Sequence, residues 1–212
     1  MTTRTWEVPH IKLSTKKTVI FIDFETTGFK PYSAARIIEY CALKVEPDKT
    51  TIFHSLAKPF MYSKNSPISI PKKIEELTQI NDEMVANCKS TFHEFIRFFD
   101  FINGHICIAH NAAFEKLFVD WYCEFLKIRG NIVFRDTMPM FGKKYNIRSL
   151  SKLSKSPNAH MAFDDCVEMR RFFYECAIDK ESKELMPLCK EIDIARNAKK
   201  AIFENIHNRS KE

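Results

Sequence analysis

Hydrophobic and polar positions fall into blocks along the chain. Residues 18–24, TVIFIDF, form an apolar run rich in β-branched and aromatic side chains, the pattern of a buried central strand. Residues 36–45 (RIIEYCALKV) and 51–57 (TIFHSLA) read as two further strands. The turn signal Glu46-Pro47-Asp48-Lys49 between them predicts a hairpin, and three strands in succession predict an antiparallel part of a sheet. After an irregular loop over 59–71, Pro71 opens a short helical stretch from Lys72 to Leu77. Ser90-Thr91 caps a helix running to about Ile102, with Phe92, Phe95, Ile96, Phe99 and Ile102 on one face and Gly104 ending it. A short apolar strand follows at 106–109, a helix from about Ala112 to Ile128, and a fifth strand at 132–134. Short helices are predicted at 137–144 and 149–153, and a long one at 162–178. Residues 181–207 read as a final helix, bent or interrupted at Pro187. The order predicts an α/β protein: a mixed five-stranded sheet flanked by helices over residues 1–178, with a C-terminal helical extension over 179–212 packed on the same domain.

Composition narrows the function classes. The chain has 212 residues, 45% hydrophobic and 28% charged, as in an ordinary soluble globular protein. It has only 4 glycines and neither a GxxxxGK[ST] nor a GxGxxG motif, so a phosphate-cradling glycine loop is excluded. The net charge of +6 is mild, but its placement is uneven: the stretch from Phe141 to His160 carries Lys143, Lys144, Arg148, Lys152 and Lys155 and no acidic residue. Such a patch favours a polyanionic partner, the alternative being a solvated lysine-rich surface. The 7 cysteines are odd in number and form no CxxC pair, which fits buried thiols in a reducing compartment and neither a disulfide framework nor a zinc site. The start is polar, with no signal-peptide core, and no run approaches the length of a membrane span. A soluble, intracellular, cytoplasmic protein with no membrane partner is expected.

Three groups of residues carry chemistry. Asp23 and Glu25 stand at the end of the first strand, two positions apart and therefore on one face. Paired carboxylates at the carboxyl end of a buried strand need a counter-charge, and hard oxygen ligands select magnesium or manganese. The second group, His110-Asn111-Ala112-Ala113-Phe114-Glu115, leaves a buried strand and enters a helix that Asn111 is placed to cap. Glu115 lies near its first turn, able to reach the same metal region or simply to favour the helix dipole. The third group is His160 followed by Asp165 at the start of the long helix. Together Asp23, Glu25, Glu115 and Asp165 form an acidic set of the sort that holds two cations, with His160 available to take a proton from water.

These motifs, in this order, resemble the DEDDh 3′→5′ exonucleases, the family of bacterial proofreading subunits, RNase T and oligoribonuclease. The first motif is Ile22-Asp23-Phe24-Glu25-Thr26-Thr27-Gly28, the second runs from His110 to Glu115, and the third is His160 with Asp165. Flanking text agrees: Arg36-Ile37-Ile38-Glu39 is similar to the family's second strand, 80–85 (INDEMV) to the segment before its first large helix, and Arg135-Asp136-Thr137 with Ser149-Leu150 to the run before the last motif. The resemblance covers roughly Thr18 to Tyr174. It departs at Glu115, where the family usually has aspartate; the carboxylate is kept on an arm one methylene longer. Asp120, five positions on, should face a different side of the helix.

The resemblance implies a ribonuclease H-like fold and two-metal hydrolysis of phosphodiester bonds from the 3′ end of DNA or RNA, releasing nucleoside 5′-monophosphates. It implies that Asp23, Glu25 and Asp165 bind one magnesium or manganese ion, that Asp23 bridges to a second to which Glu115 contributes, and that His160 is the general base. Thr26, Thr27, Gly28 and Phe29 would hold the terminal nucleotide, Phe29 either stacking beside a base or packing in the core. His110 and Asn111 stand beside that nucleotide, Asn111 contacting it or ordering the second motif. Lys143, Lys144 and Arg148 would track phosphates. Alternatives are a catalytically weakened nucleic-acid-binding or scaffolding module of the same fold and a structure-specific endonuclease.

Overall fold

The computed structural model describes residues 18–47, 49–154, 160–178 and 190–191. Its centre is a mixed six-stranded sheet, in spatial order Thr50–Leu56 (β3), Ile37–Val45 (β2), Val19–Thr26 (β1), Ile106–Ala109 (β6), Val133–Asp136 (β7) and Lys190–Glu191 (β8). Strands β1 (Val19–Thr26), β2 (Ile37–Val45) and β3 (Thr50–Leu56) form the antiparallel half. β6 (Ile106–Ala109) and β7 (Val133–Asp136) run parallel to β1. The five expected strands are all there, and Lys190–Glu191 (β8) pairs antiparallel with β7 at the edge. Those two residues fall within the expected final helix and are strand instead; the rest of residues 179–212 lies outside the described residues.

Alternation along β1 sorts the core into two layers. Ile20, Ile22 and Phe24 pack on α3 (Thr91–Ile102) and α4 (Ala112–Leu126) in an aromatic-rich cluster with Phe95, Phe98 and Tyr122. Val19 and Phe21 point the other way, onto α7 (Ala162–Ile178), through Cys166, Met169 and Phe173. Asp23 and Glu25 continue this second row past the apolar core. The inward face of α3 differs in one place from the expected one: Phe98 is buried, whereas Ile96 is 45% exposed. Ser90 caps α3 as expected, its hydroxyl accepting from the His93 N–H at 3.3 Å.

Smaller elements complete the fold. α5 (Met138–Tyr145) and α6 (Leu150–Ser154) pack beside α7, and α1 (Lys72–Thr78) and α2 (Asp82–Val85) lie between β3 and α3 in the chain. Within the loop expected over 59–71, Phe60–Met61 (β4) and Ser66–Pro67 (β5) form a two-stranded ribbon. Among the described residues no helix is long and apolar enough to cross a membrane.

Candidate active site

The carboxyl end of β1 opens into a cleft of about 460 Å³, and Asp23, Glu25, His110, Asn111, Glu115, His160 and Asp165 all line it. The sheet supplies the first pair because its alternation places Asp23 and Glu25 on the α7 face. Thr26 follows, its hydroxyl donating to the Gly28 carbonyl at 2.7 Å, which turns the chain along the rim. Thr27 is tied in both directions to Arg36, the residue before β2: its N–H donates to the Arg36 carbonyl at 2.8 Å and its hydroxyl accepts from the Arg36 N–H at 2.9 Å.

The second motif leaves β6 through a tight reversal. Asn111 sits in the left-handed region at φ 65°, which asparagine tolerates better than most residues. A capping side chain needs an extended backbone at that position. The expected Asn111 cap is therefore absent, and its side chain makes no capping bond. Asp136 fixes the turn instead, its Oδ1 accepting from the Asn111 and Met138 N–H groups at 2.9 and 3.0 Å. His110 is also committed within the protein: Nε2–H donates to the Arg148 carbonyl at 2.5 Å, Nδ1 lies 3.0 Å from the Thr137 hydroxyl, and the ring stacks on Phe141. Glu115 follows one turn into α4, only 3% exposed. Asp120 pairs with Lys116 at 2.8 Å and does not line the cleft.

The third motif is carried by the start of α7. His160, at φ 68°, donates its backbone N–H to Asp165 Oδ2 at 3.2 Å. Glu25, His160 and Asp165 bring one ligand atom each to within 4.8 Å of one another. Asp23 and Glu115 line the same cleft outside this triple.

Electrostatics shows what the site lacks. Burial, then the Glu25, Asp165 and Glu115 carboxylates, push Asp23 well above the usual carboxylate range. Glu25 is pushed up to about 9 by burial and then by Glu39, Asp165 and Glu115. Burial, opposed by the hydrogen bond from the His160 N–H, leaves Asp165 at about 6. Glu115 is raised by burial and by Asp136. Among the described residues none of the four pairs with a lysine or arginine. Glu115 Oε2 and Asp165 Oδ1 are buried without a hydrogen-bond partner among the described residues. Buried oxygens of this kind normally have a partner. Four carboxylates are a donor set that fits a hard divalent cation, and the His160 imidazole stands beside them.

The substrate-side residues separate into groups. Phe29 is 80% exposed at the rim, edge-on to Phe114, so its core reading is overturned. Thr26 and Gly28 line the cleft, while Thr27 faces a neighbouring groove on the far side of Phe29. Arg148 lines the cleft and is exposed. Lys143 and Lys144 do not line it, and Lys144 Nζ donates to the Glu175 carbonyl at 2.6 Å. Sequence reasoning missed Ile74, Leu77 and Thr78 of α1, which line the cleft together with the motif residues. Leu77 is 46% exposed, and an apolar residue on the outer side of a short helix was the available signal.

A family model described as exonuclease, RNase T, matches residues 20–173. The PolC-type DNA polymerase III of Thermotoga maritima is 31% identical over 157 residues, 70% of this chain and 11% of that protein. The epsilon subunit of DNA polymerase III from Rickettsia conorii is 26% identical over 180 residues, 77% of this chain and 75% of that protein. This chain thus spans about a tenth of the PolC-type relatives it matches. Among solved structures, exonuclease X in complex with 5′-overhanging duplex DNA superposes with a TM-score of 0.57 at 18% identity, covering 80% of this chain and 98% of that one. Escherichia coli exonuclease I with single-stranded DNA and zinc gives 0.66 at 14% identity, over 81% and 42%. These likenesses agree with the ribonuclease H-like arrangement of sheet and helices. The family match spans all three acidic motifs, and the chain belongs to the RNase T exonuclease family.

Proposed function

We propose that this protein is a metal-dependent 3′→5′ exonuclease that hydrolyses the terminal phosphodiester bond of DNA or RNA and releases nucleoside 5′-monophosphates. The observation that carries the reading is the set of four carboxylates, with no lysine or arginine partner among the described residues, that lines one cleft with His160 and an exposed aromatic ring. Asp23, Glu25, Asp165 and Glu115 would hold two magnesium or manganese ions. When bound, such ions supply charge neutralisation for the phosphate and lower the pKa of an attacking water. His160, whose backbone N–H donates to Asp165 Oδ2, would take the proton from the attacking water. Phe29 and Phe114 offer ring faces and edges to the terminal base, which makes recognition tolerant of sequence. Arg148 is placed to meet the phosphate.

Digestion of 5′-labelled DNA and RNA oligonucleotides, single- and double-stranded, tests the proposal. Stepwise shortening from a free 3′ end with magnesium or manganese is expected, with none after chelation or on a 3′-blocked end. Cutting within a circular substrate would replace the reading with an endonuclease, and binding without cleavage under both metals would replace it with a scaffold.

A further inference from the structure

Glu39 has no part in the motifs, yet it stands in β2 directly opposite Glu25 in the β1–β2 register and is 3% exposed. Residues directly opposite on paired strands share a face, so Glu39 looks onto the same end of α7 as Glu25 does. Its two carboxylate oxygens reach different elements. Oε2 accepts from the Ala162 N–H, at the first residue of α7, at 3.0 Å. Oε1 lies 2.6 Å from Nε2 of His54, on β3, and the His54 ring lies 5.8 Å from that of Phe163 in the first turn of α7. Ala162 stands between His160 and Asp165, the residues that must meet Glu25 for the grouping to form.

We infer that Glu39 and His54 form a latch from the β2–β3 hairpin that sets the position of α7, so that His160 and Asp165 meet Glu25 within ligand distance. Glu39 is a positioning residue, outside the residues that line the cleft. The anchor is a hydrogen bond, so it needs an acceptor at Glu39 more than it needs a charge. Glutamine keeps one carbonyl oxygen for the Ala162 N–H and one amide for His54, whereas alanine keeps neither. His54 is half-exposed, so its replacement tests the same latch with little effect on the core.

This inference rests on the exonuclease reading, and the wild-type enzyme in the same assay keeps the two separable. An inactive wild type counts against the exonuclease reading, and manganese binding then still judges the latch. The measurements are kcat and KM on a single-stranded oligonucleotide, and manganese affinity from the free-ion spin-resonance signal. Loss of an outer partner of a metal site typically costs about 10–100-fold in metal affinity or activity. Glu39→Ala should lose that much in kcat and manganese affinity with KM little changed, and Glu39→Gln should recover most of both. His54→Ala should shift both quantities in the direction of Glu39→Ala, and His54→Gln should restore them. Should Glu39→Ala fail to fold, the His54 pair decides the matter alone. Wild-type kcat and manganese affinity in Glu39→Ala or His54→Ala would overturn the latch, as would a Glu39→Gln protein no better than Glu39→Ala.

Discussion

At the scale of single residues, the site is a set of carboxylates lining one cleft that, among the described residues, pair with no lysine or arginine. Glu115 is the informative member, because it departs from the aspartate of the resembled family while staying buried, with one oxygen that has no hydrogen-bond partner among the described residues. An unsatisfied buried oxygen implies a ligand, so the longer arm is expected to be functional. Glu115→Ala should remove most hydrolysis, whereas Glu115→Asp should retain it and gain relative to wild type with magnesium, which demands near-ideal octahedral geometry. Turnover of the three proteins at saturating metal checks this, and equal rates for wild type and Glu115→Ala would make the glutamate a structural helix residue. Asp23 makes the complementary case. Burial and three neighbouring carboxylates oppose its ionisation. Asp23→Asn should raise metal-free stability by about 0.5–2 kcal/mol, the usual gain on relaxing a strained functional site, while abolishing catalysis. Denaturant unfolding read beside hydrolysis measures both. For His160→Ala, a loss of roughly 10²–10⁴-fold in kcat is expected of a missing general base, with nucleic-acid binding kept.

At the scale of elements, the sequence pattern was legible wherever a period ran long enough. The apolar run of β1 and its alternation told both that the strand is central and that Asp23 and Glu25 share a face. The two-residue strands Phe60–Met61, Ser66–Pro67 and Lys190–Glu191 have no period to read, and the 181–207 segment had enough scattered apolar residues to imitate a helix. Ile96 reads as inward because 92, 95, 96 and 99 fit a helical stripe; the stripe turns toward Phe98, whose ring meets Phe24, Tyr40 and Phe53. Chemistry was legible where residues close in sequence share a motif. Glu39 and the α1 wall were not, because their place at the site depends on strand register and on a loop crossing that no local pattern encodes. The Asn111 cap failed for a local reason, its left-handed backbone. That conformation yields a prediction: Asn111→Gly should fold as well as wild type, whereas Asn111→Val should lose about 1–2 kcal/mol by thermal or denaturant unfolding. Equal stability of the valine variant would mean that the turn relaxes out of the left-handed region.

At the scale of the whole molecule, the acidic cleft couples folding to protons and metal. Glu25 rises from an ordinary 4.5 to about 9 in the folded protein, and Asp165 from 3.8 to about 6. Both shifts are upward, so between those limits the folded chain holds protons that the unfolded chain has released. Stability changes with pH in proportion to protons bound by the unfolded state minus those bound by the folded state, and that difference is negative here. The contribution of these groups is therefore fully present below their unfolded pKa values and is lost as pH rises, through about 6 for Asp165 and about 9 for Glu25. A cation that binds the ionised carboxylates reverses this, because it binds only the folded state and competes with the same protons. Metal at about 100 times its dissociation constant adds roughly 2.7 kcal/mol, or about 5–10 °C in Tm for a domain of this size. The gain should be larger at pH 8 than at pH 5.5, where protons already occupy part of the site. Melting curves of the chelated and manganese-loaded protein across that range provide the comparison. Asp23→Asn should flatten both the pH slope and the metal gain, since it removes one of the charges that couple them. A manganese gain that is the same at both pH values would place the cation elsewhere than on these carboxylates. An alkaline slope that survives in Asp23→Asn with its full size would place its origin outside the cleft.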